Sequence, residues 1–463
     1  MKINKNLLFT ICLLIIVMTG IVGYSYINGD INSTSTITVT KYDCTQSNLY
    51  DRLACMSVMD NVKSKYVSSS TGINYSQVSS DTNGKGLYTF ASSAGDTYPI
   101  YYYRGNINNN YVKFAGYCWQ IVRTTDTGGT KLIYSGEPDG SGHCTATGTG
   151  KTAAQTLFNG TGSNSVSYIG YMLGPTYYIQ SGSLSDTYLY GNDVNYITDS
   201  TDPDYGKYVL QDTTSDTSLL NTHHYTCYND TGKCSTVSYM YLKGSTTGTH
   251  ILLTGGDKIE DAVAKFTTNT NSSLAKQAVD NFFANYLIPN ITALGHTYSD
   301  YLEDTIWCNN RDMETTAQTV ELRNNGFLPD GGNLSYATYQ NGYRMSQGKI
   351  NLKCPNKNDS FTKTETTEGN GKLTYPSALI TVDEAYLAGK DTADNYLMIG
   401  ENTWTMSPYR INGQSSIYIL AEGNGISGHH VHYTDYIRPM ISLNHSQVIA
   451  SGIGTQDNPY IIN

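Results

Sequence analysis

Tyr111-Val-Lys-Phe-Ala-Gly-Tyr-Cys-Trp-Gln-Ile-Val-Arg123, followed by Lys131-Leu-Ile-Tyr134, is the stretch on which the fold turns. β-Branched and aromatic residues dominate it, and such side chains suit a pleated, half-buried surface. Upstream, Leu87-Tyr-Thr-Phe90 and Ile100-Tyr-Tyr-Tyr-Arg104 carry the same composition, and turns fall at Gly105-Asn-Ile-Asn-Asn-Asn110 and Thr127-Gly-Gly129. Short β-rich runs divided by Gly/Asn turns predict antiparallel strands. The pattern returns late in the chain in Tyr396-Leu-Met-Ile399, Asn402-Thr-Trp-Thr-Met406, Ser416-Ile-Tyr-Ile-Leu420, His430-Val-His-Tyr433 and Ile437-Arg-Pro-Met-Ile-Ser-Leu443.

Helical signals are fewer. Leu49, Leu53, Met56, Val62 and Tyr66 recur at helical spacing behind Ser47, a candidate N-cap. Ser273 is placed to cap a second helix with Leu274, Ala278, Phe282, Tyr286 and Leu287 on one face, ending at Pro289. Asp383-Glu384 opens a short helix through Ala388, where acids favour the N-terminal dipole, and Arg438 is expected to pair with a buried acid. Strands with a few packed helices make the fold class α+β.

Residues 1–29 read as a signal anchor: Lys2 and Lys5 precede an uncharged run from Asn6 to Gly29. A bilayer span takes about 20 apolar residues, and flanking lysines hold the N-terminus inside. Cleavage behind Gly23-Tyr-Ser25 is the alternative. Residues 30–43 read as a polar stalk, and residues 44–463 as one extracellular domain with a loop-rich insertion at about 137–255.

Only 15% of the residues are charged, against 41 tyrosines and 44 glycines, which fits an exported β-rich protein. A net charge of -10 without a local basic cluster repels a phosphate backbone and excludes nucleic acid as a partner class. Beyond Cys12 in the anchor stand Cys44, Cys55, Cys118, Cys144, Cys227, Cys234, Cys308 and Cys354, an even set that in an exported chain suggests disulfides. Pairing of neighbours joins them in that order, two by two, although sequence leaves other connectivities open.

The run from Tyr101 to Arg123, together with Tyr168-Ile-Gly-Tyr-Met172, Tyr301-Leu-Glu-Asp-Thr-Ile-Trp-Cys-Asn-Asn-Arg311 and Gly369-Asn-Gly-Lys-Leu-Thr-Tyr-Pro376, resembles a family of Tyr-rich, membrane-anchored bacterial surface proteins. Trp404-Thr-Met-Ser-Pro408, Ile437 to Leu443 and the closing Gly452-Ile-Gly-Thr-Gln-Asp-Asn-Pro-Tyr460 extend that resemblance. It implies a C-type-lectin-like core, the scaffold shared with formylglycine-generating enzymes, with long loops; fold alone implies no activity.

Candidate chemistry is sparse. An oxidase of the formylglycine-generating kind needs a reactive thiol pair, for which only Cys227 and Cys234 are close enough; a hairpin staple around Asn229-Asp-Thr-Gly232 is the favoured reading. His430 and His432 fall on one side of a strand and can share a metal, though no third ligand is indicated. Asp202 and Asp204 lie in an oxygen-rich loop of the kind that holds calcium, the one cofactor the sequence admits. Glu137-Pro-Asp139 has only a surface similarity to a lectin calcium triplet. Glu303, Asp304, Asp383 and Glu384 are the carboxylates to weigh for hydrolysis. No Gly-x-Ser-x-Gly or His-Glu-x-x-His motif occurs. Tyrosine excess suits recognition surfaces, and Trp404, Tyr409, Tyr418 and Tyr433 are expected as exposed contacts. The expectation is a cell-surface adhesion or ligand-recognition protein for a glycan or protein, without catalysis; an envelope enzyme acting on glycans and a structural layer protein are the alternatives.

Overall fold

The computed structural model describes residues 44–59, 86–90, 98–159, 169–173, 268–312, 336–346, 350–389, 395–412, 415–421 and 425–463, with seven short strands between 177 and 242. The chain divides into two units, Met1–Asp43 and Cys44–Asn463, and every described residue belongs to the second. Among the described residues no helix is long and apolar enough to cross a membrane. The anchor and stalk expected over residues 1–43 lie outside them, as do Asp202 and Asp204.

The domain is α+β. Helix α1 (Leu49–Met59) leads into strands β1 (Leu87–Phe90), β2 (Ile100–Tyr103), β3 (Tyr111–Phe114), β4 (Tyr117–Thr124) and β5 (Thr130–Tyr134). Strand β6 (Ala154–Leu157) and helix α2 (Leu274–Phe282) come next, then β7 (Tyr336–Thr338), β8 (Ser377–Ala378) and helix α3 (Val382–Gly389). The C-terminal strands are β9 (Thr403–Asn412), β10 (Ser415–Ala421), β11 (Gly425–His430), β12 (Thr434–Ile437), β13 (Met440–Leu443), β14 (Ile449–Ser451) and β15 (Tyr460–Ile462). One sheet has the order β8-β13-β5-β4-β3-β15-β14, with β2 on β4 and β1 on β2; the other runs β11-β10-β9-β12-β6, with β7 on β9.

The deciding stretch is the centre of the first sheet. Ala115 and Gly116, at φ 49° and 81°, form the two-residue left-handed loop that suits the twist of a hairpin, and they set Val112 opposite Trp119. Strand β4 is buried along its whole length. On one face Phe282 of α2 packs edge-on against Tyr134 and tilted against Tyr117, at ring centroids 4.9 and 5.4 Å. Such pairs add about 0.5–1.5 kcal/mol beyond their buried area.

Ser273 caps α2 as expected, its hydroxyl accepting from Lys276 N at 3.0 Å. The rest of that helix departs from its pattern. A π turn over Phe283–Leu287 inserts a residue, so Tyr286 turns to solvent at 57% exposure while Leu287 stays buried. The chain then stays helical past Pro289 to Ala293, with proline in the first turn of the new segment and Ile288 N donating to Phe283 O across the π turn before it. At α1 the cap is Asn48 and not Ser47: Asn48 Oδ1 accepts from Asp51 N at 2.7 Å. Within the expected loop region, residues 154–157 are a strand of the second sheet, paired antiparallel with β12.

Buried charge ties the helices to the sheets. Thr381 and Glu384 close α3 reciprocally, Thr381 N donating to Glu384 Oε2 and Glu384 N to Thr381 Oγ1. Glu384 Oε1 also accepts from Arg123 Nε at 2.8 Å and Lys131 Nζ at 3.2 Å, and Lys131 lies 4.0 Å over the Trp307 ring. The two cations hold the Glu384 carboxyl down at about 2 against its burial, while burial pushes the Lys131 ammonium down to about 8. Arg311 binds Asp359 and the Asn269 carbonyl side chain in a second buried set.

Among the described residues three disulfides are formed, Cys44–Cys55, Cys118–Cys144 and Cys308–Cys354. The backbones of Cys227 and Cys234 face each other across a hairpin, and their side chains lie outside the described residues.

Candidate functional site

Three of the sequence candidates, His430, His432 and Tyr433, meet where β11 turns into β12. His430 to Tyr433 make the turn, Tyr433 N donating to His430 O at 2.9 Å. His432 therefore stands in the turn instead of on the strand, and its ring stacks on His430 with centroids 5.8 Å apart. Tyr433 is 41% exposed and is ringed by imidazoles, at 4.5 Å from His429, 4.6 Å from His432 and 5.2 Å from His430.

His429 and Asp435 flank the turn. The imidazole Nδ1 hydrogen-bonds Asp435 Oδ2 at 2.5 Å; with the carboxylate as acceptor, Nδ1 carries the proton and Nε2 is left as an acceptor. Asp435 is buried, which pushes its carboxyl up despite the bond from His429. The His430 imidazole is pushed down by burial and by the neighbouring His432, His429 and Arg410, so it stays neutral to lower pH than an ordinary histidine. His432 Nδ1 is buried with no hydrogen-bond partner among the described residues. The result is a stacking face with polar ring atoms at its rim.

Sequence reasoning missed His429 and Asp435, since a contact six residues apart depends on a turn whose length composition does not reveal. Among the described residues no group of three His, Cys, Asp or Glu side chains could hold a metal, so His430 and His432 gain no third ligand.

The other expected contacts fare differently. Trp404 is 1% exposed: β9 is a central strand covered on both faces, and the indole donates to Thr156 O at 2.9 Å behind the His429 ring. Tyr418 is buried too, its ring 4.6 Å from Tyr409. Tyr409 is half-buried, lies over Gly428 where a Cβ would strike its ring, and carries Arg410 on its face at 4.7 Å. Among the described residues the tyrosines are largely interior: Tyr50, Tyr102, Tyr103, Tyr111, Tyr134 and Tyr396 are all core residues.

The carboxylates weighed for hydrolysis are structural acceptors. Glu303 takes the Thr127 and Ser442 hydroxyls, and Asp304 caps the amides of Lys363, Thr364 and Glu365. Asp383 binds Arg344 and Asn351 N, and Glu384 is fixed as described above. Asp139 accepts from Ser141 N and His143 N, an Asx-type turn. Comparison of the chain with protein-family models, curated proteins and solved structures finds no match.

Proposed function

We propose that the chain is a membrane-tethered cell-surface protein that recognises an extracellular glycan or protein through the Tyr433 patch, without catalysis. The observation that carries this reading is an exposed tyrosine ring surrounded by three imidazoles, one of them oriented by a buried carboxylate. A rigid aromatic ring gives contact area at low entropic cost, and the fixed His429 tautomer adds directional hydrogen bonding beside it. A sugar offers the complement, an apolar C–H face edged by hydroxyls.

Extracellular placement is supported by the disulfides and the apolar N-terminal run. The fold that accompanies this reading is C-type-lectin-like. Its support is the meeting of the domain's two ends: Asn48 bridges Val448, and β15 returns beside β3.

The test is binding of the full-length chain, in mild detergent, to a glycan and matrix-protein array with and without calcium, with released sugar assayed in the same wells. Saturable binding is expected, lost in Tyr433→Ala, which melts as the parent does, and weakened in His429→Ala. Binding that survives Tyr433→Ala, or release of a cleaved product, overturns the proposal.

A further inference from the structure

Arg438 breaks the pattern of buried charge. Arg123 and Lys131 share Glu384, Arg311 holds Asp359, and Lys276 holds Asp280. Arg438, only 1% exposed, was expected to pair with an acid and has no acidic partner among the described residues. Its Nε donates to Tyr134 O at 3.0 Å, Nη1 to Leu397 O at 2.8 Å and Nη2 to Gln120 Oε1 at 3.2 Å, all neutral acceptors. A guanidinium has five N–H groups, so donors remain after these bonds.

A second cation lies beside it. The β6–β12 ladder sets Ala154 opposite Ile437, and Ala153 N donates to Ile437 O, so Lys151 and Arg438 leave the same end of that pair. Lys151 Nζ donates to Tyr111 Oη at 3.3 Å and has no carboxylate partner among the described residues. Tyr111 stands opposite Gln120 across β3 and β4, and its oxygen also accepts from Gln456 Nε2 at 3.1 Å. With two donors on that oxygen, its own proton has no acceptor among the described residues. Tyr396 Oη, also buried and within electrostatic reach of Arg438 and, on the other side of the balance, of the Glu384 carboxylate already bonded to Arg123 and Lys131, has no hydrogen-bond partner among the described residues.

The cluster thus has two positive charges, two phenol protons to donate, and acceptors that are already occupied. Buried polar groups are almost always satisfied, and a buried charge left alone is costly. What this arrangement lacks is an acceptor-rich negative group. Lys151 and Gln456 are half-buried, so the cluster reaches the surface on their side.

We propose that Arg438, Lys151, Tyr111, Tyr396 and Gln456 form an oxyanion site that takes a carboxylate, sulfate or phosphate group, either free or carried on a larger ligand. It does not rest on the Tyr433 reading. Burial first, and the proximity of Arg438 second, push the Lys151 ammonium down to about 8.

The test is calorimetric and thermal titration of the full-length chain with sodium sulfate, sodium phosphate, sodium acetate and sodium glucuronate against sodium chloride at constant ionic strength. One saturable equivalent is expected. Sulfate or phosphate binding assigns a free ion, and tighter binding of glucuronate than of acetate assigns a sugar-borne carboxylate. Lys151→Gln and Tyr396→Phe should each weaken binding about tenfold, the loss of one hydrogen bond to a charged group. Because Arg438 variants can fail to fold, these two carry the test; Tyr396→Phe removes an unpartnered hydroxyl and should melt no lower than the parent. Absence of saturable binding by all of the oxyanions, or equal binding by parent and both variants, overturns the proposal.

Discussion

Replacing Glu384 with Gln keeps the shape of the side chain and removes its charge from the junction of α3 and the first sheet. Arg123 and Lys131, bonded to the same oxygen at 2.8 and 3.2 Å, are then buried with no counter-ion. Two routes give the size of the loss. The carboxyl drops from 4.5 to about 2 on folding, which at about 1.4 kcal/mol per pH unit is about 3 kcal/mol at neutral pH. Removing one partner of a buried pair costs about 3–5 kcal/mol in general. The sign with pH follows from the lowered value: Glu384 stabilises the fold fully above its unfolded pKa, and that contribution is lost as pH falls through about 2. Urea denaturation of the parent and Glu384→Gln across acid and neutral pH checks both points. The difference should be about 3 kcal/mol at neutral pH and should close as the medium is acidified. A difference below about 1 kcal/mol at neutral pH, the value typical of an exposed pair, would refute the reasoning, as would a gap that acid leaves unchanged.

Trp404→Ala should destabilise the domain by about 3–5 kcal/mol, read by the same denaturation, because it opens a cavity between the Thr156 carbonyl and the Phe158 ring; any loss of ligand binding should track unfolding. Replacing Cys118 and Cys144 together with Ala should lower stability by about 3.5 kcal/mol for a loop of sequence separation 26, seen as a lower melting temperature and a smaller further drop on reduction than the parent shows, since Cys44–Cys55 and Cys308–Cys354 remain.

Much of the fold is written in local pattern. The hairpin of Tyr111 to Arg123 is specified by β-branched residues around Ala115-Gly116, and the Ser273 cap and the Asp383-Glu384 helix start follow from side-chain chemistry within one turn. What composition hides is position within a sheet. Trp404 and Tyr418 look like contact residues because aromatic strands read alike whether one face or both are covered, and only the strand order makes β9 central. Tyr286 misleads for another reason: a π turn shifts helical phase by one residue without a marker in the sequence. Of the candidate site, His430, His432 and Tyr433 were legible because they are contiguous; His429 needed its partner Asp435 to be distinguished from them.

Strand β12 separates the two proposed sites. Asp435 sets one end by holding His429, and Arg438 follows the other end three residues later. Successive residues of a strand point to opposite faces, so an odd separation sends the carboxylate and the guanidinium to different sides. That explains why Arg438 does not take Asp435 as its counter-ion, although no acid lies nearer in sequence. It also means that a ligand stacked on Tyr433 and an anion at Arg438 meet different surfaces of the same rigid element. Sulfate should therefore bind Tyr433→Ala as it binds the parent, and the failure of either site would leave the other standing.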